Sequence, residues 1–370
     1  MIGTGPNLKS VEDQVIVITG ASSGIGLTTA RMAAERGASV VVAARSEDSL
    51  RELTEEIRAD GGEAEYVVAD VRNRDDVREI AATARESFGG FDTWVNNAGT
   101  FVYGKLQEVP VEDMRDLFET NYWGVVYGSL EAAEHLKQTE DGGAIINVGS
   151  VVSDQAVLLQ GTYSASKHAV EGFTDAFRME LEEEDAPVSV TLVKPSAIDT
   201  PYPSHAKNHM DVETDIPKPV YAPETVARTI LFCAERPRRD VYVGSGGKSI
   251  QLLGRYAPEL ADRIIETVFY RFQRKKTPRR PRQWNSLDDA SGNLEERGKY
   301  DGPVMERSLY TKASLRSALS GAALVGVGLT AAALYLRSKL GRSDGDAGRV
   351  REEIRESVDP EDSRLPFPRL

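Results

Sequence analysis

The residues with the most chemical content stand close together. Tyr163 and Lys167, in the run Tyr163-Ser164-Ala165-Ser166-Lys167, are four positions apart, which on a helix places them on one face, one turn from each other. A free phenol has a pKa of about 10 and is a poor base at neutral pH. A neighbouring ammonium stabilises the phenolate and draws that pKa toward the working range. The same lysine can reach a sugar hydroxyl of a bound nucleotide. Ser150 lies 13 residues before the tyrosine, just past the apolar run 144–148, and its hydroxyl can hold a substrate oxygen during reaction. A lone Tyr/Lys pair at this spacing is ordinarily a solvated helix face; it is the combination, in this order, that carries the signal.

A second group of residues reads as the other half of such a site. Thr19-Gly20-Ala21-Ser22-Ser23-Gly24-Ile25-Gly26 follows an apolar run and opens a helical pattern. A pyrophosphate must approach backbone closely, and side chains at the turn would block it. The helix N-terminus then offers free N–H groups and partial positive charge. The second apolar run ends in Ala43-Ala44-Arg45-Ser46, with no acid before Glu47. A carboxylate at that place suits the ribose 2′-hydroxyl of NAD, whereas an arginine suits a 2′-phosphate. Arg45, helped by Ser46, is therefore expected to hold the 2′-phosphate of NADP(H). Ser23 stands where a basic residue would have strengthened that preference, so NAD(H) stays open as a second cofactor.

With these motifs in place, the chain resembles the short-chain dehydrogenase/reductase family over about residues 10–245. The match is carried by the Thr19-to-Gly26 turn, Asp70-Val71, Asn96-Asn97-Ala98-Gly99, Asn121, Ser150, the Tyr163/Lys167 pair and the stretch from Pro195 to Thr200. The resemblance implies that Asp70 and Val71 sit at the adenine and that Asn97, Ala98 and Gly99 pack beneath the cofactor. It implies that Asn121 holds a proton-relaying water and that Ser150, Tyr163 and Lys167 are catalytic. Pro195, Ile198 and Thr200 would face the carboxamide, although Pro195-Ser196 replaces the usual Pro-Gly. The activity implied is hydride transfer between the nicotinamide and a secondary alcohol or a carbonyl compound, with Tyr163 as general acid/base. No metal is required.

The elements that must position these residues are visible as alternation. Apolar, β-branched runs at 15–18, 39–43, 64–68, 93–95, 144–148 and 188–193 are separated by helical patterns such as 27–36, 47–59 and 75–88. Strands alternating with helices predict a doubly wound parallel α/β sheet, a Rossmann fold with helices on both faces. Residues 1–13 are polar and the first apolar run already belongs to the fold, so no cleavable leader is expected. The net charge of −13 excludes a generic nucleic-acid binder. One cysteine, Cys233, excludes an intramolecular disulfide and a cysteine metal cluster.

The substrate side is less legible. Phe101, Val102, Tyr103 and the stretch 151–159 are expected to line a partly apolar pocket, with 201–220 as a polar lid. His205, His209 and Asp211 could be drawn as a metal site, but a lid is the preferred reading. Beyond a catalytic domain at 1–245, residues 246–283 read as an amphipathic helix (258–273) and a basic segment, and 284–316 as a polar linker. Residues 317–336 carry no charged side chain and are just long enough to cross a bilayer. They are expected as a membrane anchor with the catalytic domain on the cytoplasmic side; a docked helix is the alternative. The charged tail 337–370 is expected to be disordered. The small-molecule partner is a carbonyl or alcohol, and a homo-oligomer is consistent with the resemblance.

Overall fold

The computed structural model describes residues 6–245, 247–279, 284–290, 294–298 and 300–316. The strands in chain order are β1 (Val15–Thr19), β2 (Ser39–Ala44), β3 (Ala64–Val68), β4 (Thr93–Asn96), β5 (Val102–Tyr103), β6 (Gly143–Val148), β7 (Val188–Pro195), β8 (Lys207–Asn208), β9 (Val212–Thr214), β10 (Val220–Tyr221), β11 (Asp240–Val243), β12 (Arg274–Pro278) and β13 (Val304–Met305). Seven of them form one sheet in the order β11-β7-β6-β4-β1-β2-β3, every neighbouring pair parallel.

The sheet is largely buried on both faces, which is why its strands read as predominantly apolar runs. Along β2, Val40 and Val42 join one core cluster while Val41 and Ala43 join the other, the two-residue alternation expected of a strand with a core on each side. Helices cover both faces. Glu47–Ala59 buries Leu50, Leu53 and Ile57 at helical spacing, and Arg74–Phe88 is closed by an Asn73 cap at one end and left-handed Gly89 at the other. The chain winds outward from β1 to β3, then crosses to β4 on the other side of β1. Such a reversal opens a crevice at the carboxyl ends of β1 and β4, the place where doubly wound sheets take ligands.

The extension departs from expectation. The amphipathic pattern forms Pro258–Ile264 and continues through a π-helical turn, Ile265–Phe269, into Tyr270–Phe272. Part of the basic run pairs as β12 with β9, and Arg274 bridges Asp211 at 2.8 Å. The described parts of 284–316, expected as a linker, pack instead on the catalytic domain: Leu287 is buried, β13 pairs with β10, and Leu309–Arg316 is helical. The turn-forming composition misled because the segment is held by contacts scattered along it, backbone bonds and isolated ion pairs, with no periodic apolar face. Cys233 is wholly buried in the helix Pro223–Glu235. Among the described residues no helix is long and apolar enough to cross a membrane; the expected anchor at 317–336 and the tail 337–370 lie outside the described residues.

Packing at the first turn leaves no room for a side chain. A Cβ on Gly26 would lie 2.3 Å from the Gly20 carbonyl oxygen and 2.5 Å from Asn97 Nδ2. Gly26→Ala is therefore expected to lower stability by about 1–3 kcal/mol, read as a fall in the urea midpoint. A midpoint equal to wild type would show that the turn has slack.

Candidate active site

The crevice is built on the Gly20-to-Gly26 turn. Gly20 adopts φ +69, a left-handed conformation that glycine enters without strain. Thr19 Oγ1 accepts from the N–H groups of Asn97 and Ala98 at 3.1 and 3.2 Å and donates to the Val95 carbonyl. Asn97 Nδ2 returns bonds to the carbonyls of Thr19 and Gly20. Ser23 at the N-cap of Gly24–Glu35 makes no side-chain capping bond, and the Gly24 N–H at the helix end donates to the Glu295 carbonyl. This turn, with Arg45 across from it, is a donor set suited to the phosphates of a dinucleotide. A cavity of ≈ 230 Å³ is lined by Gly20, Ser22, Ser23, Gly24, Ile25, Arg45, Asp70 and Val71 on this side, and by Asn97, Ala98, Gly99, Ser150, Tyr163, Lys167, Pro195, Ile198 and Thr200 on the other.

Three expected residues do not line it. Gly26 packs behind the turn. Ser46 stands at the N-cap position of the next helix without a side-chain capping bond and pairs its hydroxyl with that of Ser49 at 3.0 Å. Asn121 is fully buried in a π-helical turn, Glu119–Trp123. Its Oδ1 accepts from the Thr100 N–H at 2.8 Å, and its Nδ2 donates to the Thr100 carbonyl and to Ser166 Oγ. That amide fixes the loop after Asn97-Ala98-Gly99 from below.

At the adenosine end, Asp70 is gripped by Arg72 through both carboxylate oxygens. Burial opposes its charge, but the Arg72 bonds prevail and hold its pKa below the usual carboxylate range. Arg45 is partly buried, and desolvation lowers its pKa although Asp70, Asp289 and Asp288 oppose that effect. At the catalytic end, Tyr163 and Lys167 lie on one face of Gly161–Glu183, both buried, with Lys167 Nζ 5.7 Å from the phenol ring centre. The amine donates to the Val148 carbonyl at 2.8 Å. Burial lowers the Lys167 pKa to about 8.

The phenol is not depressed as expected. Burial pushes the Tyr163 pKa up, partly offset by hydrogen bonds with Tyr202 and Ser150. In a desolvated pocket the neutral forms of both groups gain, and the amine's bond is made to backbone rather than to the phenol. Ser150 caps the short helix Val151–Ser153, its hydroxyl accepting from the Val152 N–H. Behind that helix, Lys194 Nζ meets Asp154 at 3.0 Å and Glu171 at 2.7 Å. Burial disfavours its charge, but the two carboxylates prevail and raise its pKa.

Sequence reasoning missed Tyr202, whose hydroxyl donates to the Thr100 carbonyl at 3.0 Å and whose ring meets Phe101 edge-on. It also missed Ser286, which lines the crevice from the segment taken for a linker. Trp284 and Leu287, two large apolar residues in a polar stretch, were the available signal. His205 packs on the Trp284 ring, and His209 Nε2 bonds Asp113 at 2.8 Å. A second cavity, ≈ 210 Å³, adjoins Tyr163 and Ser150. Phe101, Tyr103, Val152, Ile216, Ile250 and Phe269 give it apolar walls, and Gln160 and Gln273 hydrogen-bond to each other at its edge. The extension thus builds part of this wall.

Comparison with known proteins agrees with the geometry. The short chain dehydrogenase family profile matches residues 14–211. Over 337 residues the chain is 49% identical to the uncharacterized oxidoreductase YxnA of Bacillus subtilis, covering 91% of this chain and 95% of that one. An alcohol dehydrogenase of the archaeon Thermococcus sibiricus, solved with 5-hydroxy-NADP, superposes with TM-score 0.54 at 27% identity, over 62% of this chain and 95% of the other. A short-chain type dehydrogenase/reductase of Mycobacterium marinum gives 0.55 at 27% identity, over 64% and 96%.

Lys167 yields a stability test. Its folded pKa near 8 lies below the ordinary lysine value of 10.5, so between those values the unfolded chain holds a proton that the folded chain has lost. Folded stability therefore rises with pH across that window, and the penalty is fully present below it. Lys167→Met is expected to exceed wild type by on the order of 2–3 kcal/mol at pH 7, less whatever the lost Val148 bond contributed. The gap should shrink by pH 10 in urea titrations. A gap independent of pH would contradict the depressed pKa.

Proposed function

The chain belongs to the short chain dehydrogenase family, and from that premise we propose that it is an NADP(H)-dependent oxidoreductase interconverting a secondary alcohol and a ketone or aldehyde. The observation that carries the reading is the convergence of Ser150, Tyr163 and Lys167 on the crevice that the glycine turn and Arg45 also face. Ser150 and Tyr163 offer two hydroxyls to one substrate oxygen, which fixes the carbonyl and polarises it. Tyr163 gives that oxygen its proton in reduction and takes it back in oxidation. Lys167, with a pKa near the working pH, can hold or release the proton that restores the phenol. The bound nicotinamide supplies or accepts the hydride. Asn121 serves through Thr100, holding the loop under the cofactor in register.

The NADP(H) preference rests on Arg45, which faces the adenosine end with no carboxylate in the NAD position. The Thermococcus sibiricus relative, solved with an NADP derivative, is consistent with it. The second cavity favours an uncharged, apolar carbonyl compound: aromatic and aliphatic side chains dominate its walls, and the lysine among its lining residues, Lys218, is exposed to solvent.

Turnover of NADPH with a panel of ketones tests the reading. Tyr163→Phe should lower kcat/KM by about 10²–10⁴-fold with the fold intact by circular dichroism; wild-type turnover in that variant would remove Tyr163 from the mechanism. Arg45→Asp should move preference from NADPH toward NADH by about tenfold or more. Unchanged selectivity would reject the assignment of Arg45.

A further inference from the structure

The chain returns over the crevice after the catalytic domain is complete. Arg45 Nη2 donates to the carbonyls of Ser286 at 2.6 Å and Asp289 at 2.7 Å. The segment is pinned from below as well. The Ser286 N–H donates to the His205 carbonyl at 2.7 Å, and its hydroxyl pairs with that of Thr100 at 2.9 Å. Leu287 is buried in the cluster that holds Phe101 and Tyr163, and Asp288 is paired with Lys207. Farther on, the Glu295 carbonyl accepts from the Gly24 N–H at 2.9 Å and Glu296 bridges Arg31 at 2.7 Å. The strap thus uses the guanidinium that would recognise a 2′-phosphate and an N–H of the phosphate-binding turn.

We propose that the strap at 285–289 is a cofactor-discriminating element, because its carbonyls and an adenosine 2′-phosphate compete for the same guanidinium of Arg45. The inference rests on the NADP(H) reading given above. Arg45 Nη2 carries two N–H groups, and each has a strap carbonyl within bonding distance. A phosphate dianion accepts charge-assisted bonds that a neutral carbonyl cannot match, so it can displace the strap. A neutral 2′-hydroxyl cannot, and NAD(H) binds with the strap in place. The carboxylates of Asp288 and Asp289, both close enough to act on Arg45, repel the phosphate until the segment moves. Selectivity therefore balances two opposed effects: the attraction at Arg45 favours the phosphorylated nucleotide, and the strap, which only that nucleotide must displace, holds the preference below what Arg45 alone would give.

The test follows amide hydrogen exchange of peptides covering 284–290 in the full chain, alone and with adenosine 2′,5′-bisphosphate or adenosine 5′-monophosphate. The bisphosphate is expected to speed exchange there about tenfold, and the monophosphate to leave it within twofold. Equal responses to the two nucleotides overturn the proposal. A second arm titrates NADPH and NADH into Leu287→Ser, which removes the strap's buried anchor. NADPH should bind about three- to tenfold tighter and NADH within twofold of wild type; equal changes for both overturn it. Arg45→Ala separates the two readings. If it leaves NADPH affinity unchanged, the assignment of Arg45 fails and the strap proposal with it. If it weakens NADPH while the strap responds alike to both nucleotides, the assignment stands and only the strap proposal fails.

Discussion

The site depends on how closely the first turn approaches the end of the fourth strand. Thr19, Gly20 and Gly26 meet Asn97 and Ala98 with no room for a further carbon, and a single threonine hydroxyl serves two backbone donors across the gap. That lock sets the width of the crevice at the point where the strand order reverses. It fixes where the N-terminus of the helix Gly24–Glu35 points, and it places the loop carrying Thr100, which Asn121 and Tyr202 both grip. The catalytic helix brings Tyr163 and Lys167 to the far wall of the same gap. A looser turn would leave each of these groups intact and their mutual geometry undefined, and tolerance in such constellations is a fraction of an ångström.

How much of this was legible followed from how local each signal is. The turn, the Tyr163/Lys167 pair and Ser150 are short motifs whose spacing already encodes their geometry, and the structure brings them to one cavity. Six strands of the sheet were readable as apolar runs, because burial on both faces leaves few polar positions to blur them. The seventh, Asp240–Val243, is only four residues long and begins with an acid; its identity comes from pairing with β7. The segment at 284–316 reads as a linker because its composition is that of a loop. Several of its attachments are carbonyls and N–H groups, which every residue has, and the rest are single ion pairs and one buried leucine with no periodicity to reveal them.

The titration of the catalytic pair was the other misreading, and its cause is desolvation. Sequence spacing says that an ammonium stands near a phenol, but not how much water surrounds them. Here both are buried, so burial moves the amine down and the phenol up. The chain treats another buried lysine differently: Lys194 has two carboxylates for company and keeps its proton. Lys194 ties Asp154, at the end of the Ser150 helix, to the strand that leads to Pro195. One lysine is thus held charged and the other drawn toward its neutral form, and the difference lies in their neighbours.

Cys233 carries a consequence for how the molecule meets its surroundings. Burial pushes its thiol up to about 12, and it packs in the core far from any oxidant's reach. The sole sulfhydryl of the chain is therefore inert to peroxide and to alkylating reagents while the fold persists. With no second thiol in its sequence, the chain offers peroxide chemistry no pair of side chains to convert into an intramolecular disulfide switch.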